Sequence, residues 1–586
     1  MNQPSPALVA QAGVRRLPRW GLLTFCAIYL LAGFVGREPW RNYDVLSLGW
    51  MMDIANGRSS WFSAGEFVHG AEHFDALLPY WLGAAAIQFT AGWLEPFAAV
   101  RLVSMGMLAI TLAAVWYAIY YLARSPQAQP VSFAFGGEAN PKDYARTLAD
   151  GGLLAFMACL GLAESAHNIS PNLAQLCAMS LVFYALAALP YRLWGPATAG
   201  VIGMVGLTLS GAPVVALTVG LIGMAAYASR AQDWQSLQEQ QPHYAPDPDQ
   251  ERQHQRKRWL WIMAITALTL LCVVLASVLG LWHNRLAIPS RWVAWRDLIK
   301  LHLWFTWPVW PFVLWTLWRW RAYWRRGSPN RHLALPLALA LFCAAGGWIS
   351  NRPSTMLLLC LPACSALAAF ALPTFKRSVG AFIDWFTLIF FTLVAGYLWF
   401  MWSAVQLGGP ASAVRQVVKR AGTYEIPFDL VGFMVALAVT LGWMALVRWR
   451  TKRLQPAIWK SMILPAGGVL LCWVLATTLW LPSLNHLRGY GVLAQSVQQT
   501  LPSGALPAGS CFQTIGLDDQ QQAGLQYHLH IDLVSAPTRL DCHGMLVSAN
   551  ALAQARQSGA LDNYQELGIA RRNLGHKEVL HVFQRR

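Results

Sequence analysis

Apolar runs close to the ~20 residues a helix needs to cross a bilayer recur along the whole chain, separated by short polar clusters. They fall at Trp20–Gly36, Leu102–Ala123, Gly151–Leu162, Leu173–Leu189, Thr198–Leu209, Pro213–Ala228, Trp259–Trp282, Trp304–Trp318, Leu333–Ile349, Met356–Leu372, Phe382–Trp402, Phe428–Val447 and Ile458–Leu481. The pattern therefore predicts about thirteen spanning helices, the element that satisfies its own backbone hydrogen bonds in lipid. Leu77–Trp93 is apolar but short, and reads as a juxtamembrane or re-entrant helix. The tail is different: it has no long apolar run, alternates at Leu525–Leu533 and Val579–Phe583 like strands, and looks helical at Ala549–Ser558. The expected fold class is mainly α, a polytopic bundle over residues 1–481, followed by a small α+β domain over residues 482–586.

Composition agrees. The chain of 586 residues is 56% hydrophobic and only 12% charged, against roughly a quarter charged in ordinary soluble proteins. Its formal charge of +17 would suggest nucleic acid in a soluble protein. Here the cations sit beside the spans, so they read as a topology signal and nucleic acid is not expected as a partner.

Arg15, Arg16 and Arg19 precede the first span and keep the N-terminus cytoplasmic, and Ala7–Arg19 lacks a cleavable signal pattern. Alternation then places Arg124, Arg192, Arg256–Arg258, Arg319–Arg331, Lys376, Arg377 and Arg448–Arg453 on that same side. The polar stretch Ser229–Arg258 reads as a solvated loop there. The first long loop, residues 37–99, and the tail fall outside. This gives a multi-pass protein of a bacterial inner membrane with a periplasmic C-terminal domain. Eight of ten cysteines lie in apolar runs as small core residues. Cys511 and Cys542, in the tail, form one disulfide if it is periplasmic, or stay as two free thiols.

Polar chemistry concentrates in the first loop. Asp44 is either a general base for an acceptor hydroxyl or the N-cap of the helix that follows. Glu66, His69, Glu72, His73 and Asp75 form a second cluster; His73 and Glu72 could ligate a divalent metal of unknown identity, or belong to a solvated loop. Asp75 directly precedes an apolar run and is the one expected to face a site. Glu164 and His167 are the ionisable residues of a short outer turn. Arg352 stands in the turn Ser350–Pro353, where its planar fork suits phosphate. Arg291, Arg296 and Lys300 either add to that phosphate site or bind anionic lipid headgroups.

The first span, the Asp soon after it, and the block His73-Phe74-Asp75-Ala76-Leu77-Leu78-Pro79-Tyr80-Trp81-Leu82 resemble the GT-C membrane glycosyltransferases of the aminoarabinose transferase and protein O-mannosyltransferase branch. Arg101-Leu102-Val103-Ser104 is similar to that family's entry to the second span, and Ala166-His167 to its second catalytic-face loop. The resemblance implies transfer of a sugar from a polyprenyl-phosphate donor to an envelope acceptor (lipid, glycan or protein) by a monomer embedded in membrane lipid. It implies catalytic roles for Asp44, Asp75, Glu164 and His167, with Arg352, Arg291, Arg296 and Lys300 at the donor phosphate. Asp75 takes the place of the Glu in a Glu-Lys-Pro motif, whereas Ala76 stands where the family has Lys; Asn172 or Glu164 is nearest to the second-loop acid. Competing readings are a secondary transporter, which would carry charges inside the spans and show two similar halves, and an O-antigen ligase or polymerase. A non-catalytic lipid-binding scaffold is a third.

Overall fold

The computed structural model describes residues 5–586 apart from 43, 63–73, 132, 134, 230–247, 284, 323–329, 422–426, 453–456, 502–509, 536–541 and 575. Glu66, His69, Glu72 and His73, including the expected metal ligands, lie outside the described residues.

Each predicted span falls on helical segments, two of them on a pair of helices rather than one. In chain order the helices are α1 (Arg19–Leu31), α2 (Asp44–Ala55), α3 (Leu78–Phe89), α4 (Pro96–Ala123), α5 (Pro141–Met157), α6 (Leu160–Ser165), α7 (Pro171–Ala188), α8 (Trp194–Leu209), α9 (Pro213–Ala228), α10 (Pro248–Val278), α11 (Trp292–Phe305), α12 (Val309–Arg319), α13 (Arg331–Ile349), α14 (Pro353–Ala371), α15 (Arg377–Leu407), α16 (Ala411–Ala421), α17 (Leu430–Lys452) and α18 (Lys460–Thr478). Among the described residues eight helices are long and apolar enough to cross a membrane, and α1, α8 and α9 are shorter apolar helices. In an 18-residue apolar window of Pro353–Thr374, the stretch beginning with α14, 94% of the residues are buried inside the protein, and this helix forms the hub. By contrast, in the 18-residue apolar windows of Gln255–Val278 in α10 and Leu430–Thr451 in α17 only 17% of the residues are buried, although the mean hydropathies are 2.4 and 2.3. Apolar helices with outward faces on this scale require lipid around them.

Several boundaries differ from the sequence reading. The span expected at Gly151–Leu162 starts ten residues earlier, because Asn140 caps it through the Lys142 N–H and Pro141 fits the first turn; it ends at Met157, and Leu160–Ser165 is a separate helix. The expected loop Ser229–Arg258 is helical from Pro248 onward, so α10 carries its basic end as part of the helix. Trp304–Trp318 is two helices, since Pro308 interrupts the run between α11 and α12.

The C-terminal part continues with α19 (Leu481–Arg488) and α20 (Gly491–Thr500), then a five-stranded sheet ordered β2-β1-β3-β5-β4. β1 (Cys511–Ile515) runs parallel to β2 (Asp532–Ser535) and β3 (Gly544–Ser548), and β5 (His576–Arg585) is antiparallel to β3 and to β4 (Tyr564–Leu574). The alternation at Leu525–Leu533 is helical over its first half and enters a strand only at Asp532. Asp518 and Gln521 make a reciprocal capping box that opens α21 (Asp519–Leu529), and His530 closes it at a left-handed φ of 54°. A short α22 (Leu552–Gln557) follows β3. Cys511 and Cys542 are disulfide-bonded with their Cα atoms 4.8 Å apart.

This domain sits on the face that carries the first loop. Arg58 just beyond α2 reaches Asp53 at 2.8 Å and Asp532 of β2 at 2.6 Å. Gly49 lets α2 press against Ala523 of α21, where a Cβ would stand 2.7 Å from the alanine methyl. Arg41 and the buried Arg572 share Glu578 of β5, each at 3.2 Å.

Candidate active site

Asp44 opens α2 but does not cap it. Its carboxylate turns back into the protein, fully buried, and accepts the Trp40 N–H at 3.2 Å and the Ile169 N–H at 2.6 Å. Its third partner is the guanidinium of Arg37, itself buried, which also donates to Asn168 Oδ1 at 3.3 Å. Burial pushes the Asp44 carboxyl above its ordinary range, with Arg37 and the two backbone donors opposing. The pair thereby ties the first loop to residues 168–169 of the loop between α6 and α7. Arg101 of α4 holds the same backbone from the other side, donating to the carbonyls of Phe34 and Arg37 at 2.7 and 3.1 Å.

His167 lies beneath that loop, fully buried among the rings of Phe34, Tyr29 and Trp473 at 4.9–5.3 Å. Its Nδ1 meets the Ala163 carbonyl and its Nε2 the Tyr29 carbonyl at 2.8 Å. Burial outweighs those carbonyls and lowers the imidazole to about 4.

Glu164, by contrast, is open. It lines a cavity of about 230 Å³ with Ser165, Asn168, Asn172, Ser354 and Thr355 as its polar wall, and Leu160, Leu301, Phe305 and Leu358 as its apolar one. Thr355 donates to Asn172 Oδ1 at 3.1 Å, joining the first turns of α7 and α14. Two helix N-termini thus meet at this wall, a position that favours negative charge. Glu164 pairs with Arg488 of α19 at 2.7 Å, and both remain about half exposed. Arg488 in turn lies over the Trp40 ring at 4.9 Å, whose other neighbour is Arg37 at 4.3 Å. The sealed pair and the open pair are therefore coupled through one indole.

Asp75 binds Arg352, the residue before α14, at 3.0 Å and accepts from the Tyr80 hydroxyl at 2.8 Å. Arg285 joins them. Its backbone carbonyl takes the Asn351 N–H at 2.8 Å, and burial draws its guanidinium below the usual range, assisted by neighbouring Arg352 and countered by Asp75. Arg285 and Arg488, like Arg37, are site residues whose role the sequence did not disclose. Arg291, Arg296 and Lys300 are exposed on and just before α11, where Arg296 lies 3.6 Å from Asp297. Among the described residues no group of three or more His, Cys, Asp or Glu side chains forms a metal site.

No family model matches the chain, and no curated protein matches its sequence. Solved structures do match it, and with the helical bundle and the α+β domain over the first loop they define a polytopic membrane protein of the GT-C fold. The chain is similar to ArnT from Cupriavidus metallidurans bound to undecaprenyl phosphate, with 14% identity and a TM-score of 0.56 over 97% of this chain and 98% of that one. The apo state of that protein matches with 14% identity and a TM-score of 0.52, over 96% and 98%.

Proposed function

We propose that this chain is a membrane glycosyltransferase that moves a sugar from a polyprenyl-phosphate donor to a hydroxyl of an envelope acceptor on the periplasmic face. The observation that carries the reading is the cavity, where an open carboxylate and neutral hydrogen-bonding groups face two helix N-termini, with Arg352 at the start of α14. Its volume of about 230 Å³ suits one sugar-sized group rather than a prenyl chain. A fold shared with a protein that binds undecaprenyl phosphate supports the same donor class. The Cys511–Cys542 pairing supports the periplasmic placement, because disulfides persist in oxidising compartments.

The reaction is a single in-line displacement at the anomeric carbon. The acceptor oxygen forms the new C–O bond, the bond to phosphate breaks, and polyprenyl phosphate departs. Glu164, on the cavity wall, receives the acceptor's proton when Arg488 releases it. Arg352 and Arg285 neutralise the departing phosphate, with Asp75 and Tyr80 aiming Arg352. Asp44 and His167 act as positioning residues: one fixes residues 168–169 from above, the other props them from below.

Purified protein is incubated with a radiolabelled polyprenyl-phosphate sugar and a crude envelope extract, following loss of label from the lipid. Glu164→Gln is expected to slow turnover by about 10²–10⁴-fold, the usual contribution of a general base. A well-folded, inactive Asp44→Asn beside an active Glu164→Gln would make Asp44 the base. No transfer with any donor by the wild type would remove the reading.

A further inference from the structure

The helix α11 has two faces, and among the described residues only one of them is packed against the protein. On the inner face Trp295 and His302 stack on Trp348 of α13 at 5.8 and 4.2 Å, while Leu301 and Phe305 line the cavity. The outer face recurs at helical spacing through Trp292, Arg296, Ile299 and Leu303, with Val293, Lys300 and Trp304 in the adjoining row. Its apolar members are 42–76% exposed, and Leu286 and Ile288 in the preceding loop are more than 70% exposed. Three cations, Arg291, Arg296 and Lys300, stand among them against the single carboxylate of Asp297.

Water is a poor solvent for a helix that presents two tryptophans, a leucine, an isoleucine and a valine outward. The hydrocarbon core is equally poor for three cations. The bilayer interface accommodates both, since apolar side chains enter the acyl boundary while Arg and Lys reach headgroup phosphates. The chain geometry fits, because α11 runs directly into α12 of the bundle.

We infer that α11 lies in the plane of the bilayer surface and binds anionic phospholipid headgroups through Arg291, Arg296 and Lys300. The three cations are thus a lipid site rather than part of the donor-phosphate site. Because the same helix supplies Leu301 and Phe305 to the cavity, one wall of the cavity is anchored to the membrane. The inference rests on the membrane reading of the fold and is independent of sugar transfer.

Two measurements on the full chain test it. Val293→Cys is labelled with an environment-sensitive fluorophore in phosphatidylcholine vesicles containing phosphatidylglycerol; the eight free cysteines are buried or half-buried. The probe is expected to be quenched by brominated lipid and shielded from aqueous iodide. The reverse pattern would overturn the interfacial placement. Native mass spectrometry then compares retention of phosphatidylglycerol and phosphatidylcholine by wild type, Arg296→Gln and Arg296→Gln/Lys300→Gln. Preference for phosphatidylglycerol is expected to fall about fivefold for each charge removed. An unchanged preference in the double variant would overturn the headgroup assignment. Both substituted side chains are exposed, and the fluorophore experiment retains every charge, so neither outcome hinges on a folding defect.

Discussion

Two acidic residues of the candidate site make opposite use of arginine. Asp44 and Arg37 are sealed, with 0% and 1% of their side chains exposed, whereas Glu164 and Arg488 keep 46% and 40% in the open. A sealed pair cannot trade its partner for substrate without opening the protein, and removing one member strands a buried charge. An open pair contributes little to stability and exchanges partners readily. Closeness to a catalytic centre therefore says less about a carboxylate's task than whether anything besides its own arginine can reach it. The first pair builds the floor of the site; the second is free to work in it.

The sharpest way to break this contrast is Arg37→Ala. It is expected to lower stability by about 3–5 kcal/mol, read from unfolding in detergent. A loss below about 1 kcal/mol would put this pair in the same class as the exposed ones. A smaller effect separates Arg352→Gln from it. Stability should change by no more than about 1 kcal/mol, while binding of a short-chain polyprenyl phosphate, measured by competition, weakens by about 1.5–3 kcal/mol, as for hydrogen bonds to charged groups.

The smallest effect concerns His167, whose folded value of about 4 lies below its unfolded value of 6.5. A depressed imidazole gives stability that is complete above the unfolded value and is lost as pH falls toward the folded one, because the unfolded chain takes up the proton first. Between about pH 7 and about pH 5.5 the loss is about 1 kcal/mol. His167→Gln should flatten that part of the profile, and an unaltered slope would show that the site's floor does not depend on a neutral imidazole.

The spans were legible because lipid imposes a length and a composition that any run of sequence must display. The boundaries at α5 and α10 were less so: capping by Asn140 and helix propagation from Pro248 act on polar residues that a hydropathy argument discards. Asp44, Asp75 and Glu164 stood out because charge is scarce in this chain. What they bind did not, since Arg488 meets Glu164 from 324 residues away and Arg352 meets Asp75 from 277. Leu525–Leu533 shows the local limit. Its two-residue alternation suggests a strand, yet the capping box at Asp518 and Gln521 and the packing of α21 on α2 make Leu525–Leu529 the end of a helix.

That packing has a consequence for how the protein is made. Arg58 and Asp532 are separated by 474 residues, which takes a ribosome about 25 to 95 s at about 5–20 residues per second. The helix that carries Asp44 is therefore made well before the strand and helix that clasp it. Until those later segments form, the first loop waits without its clasp. The working face is thus set not when its own residues are made but when a partner 474 residues further along arrives.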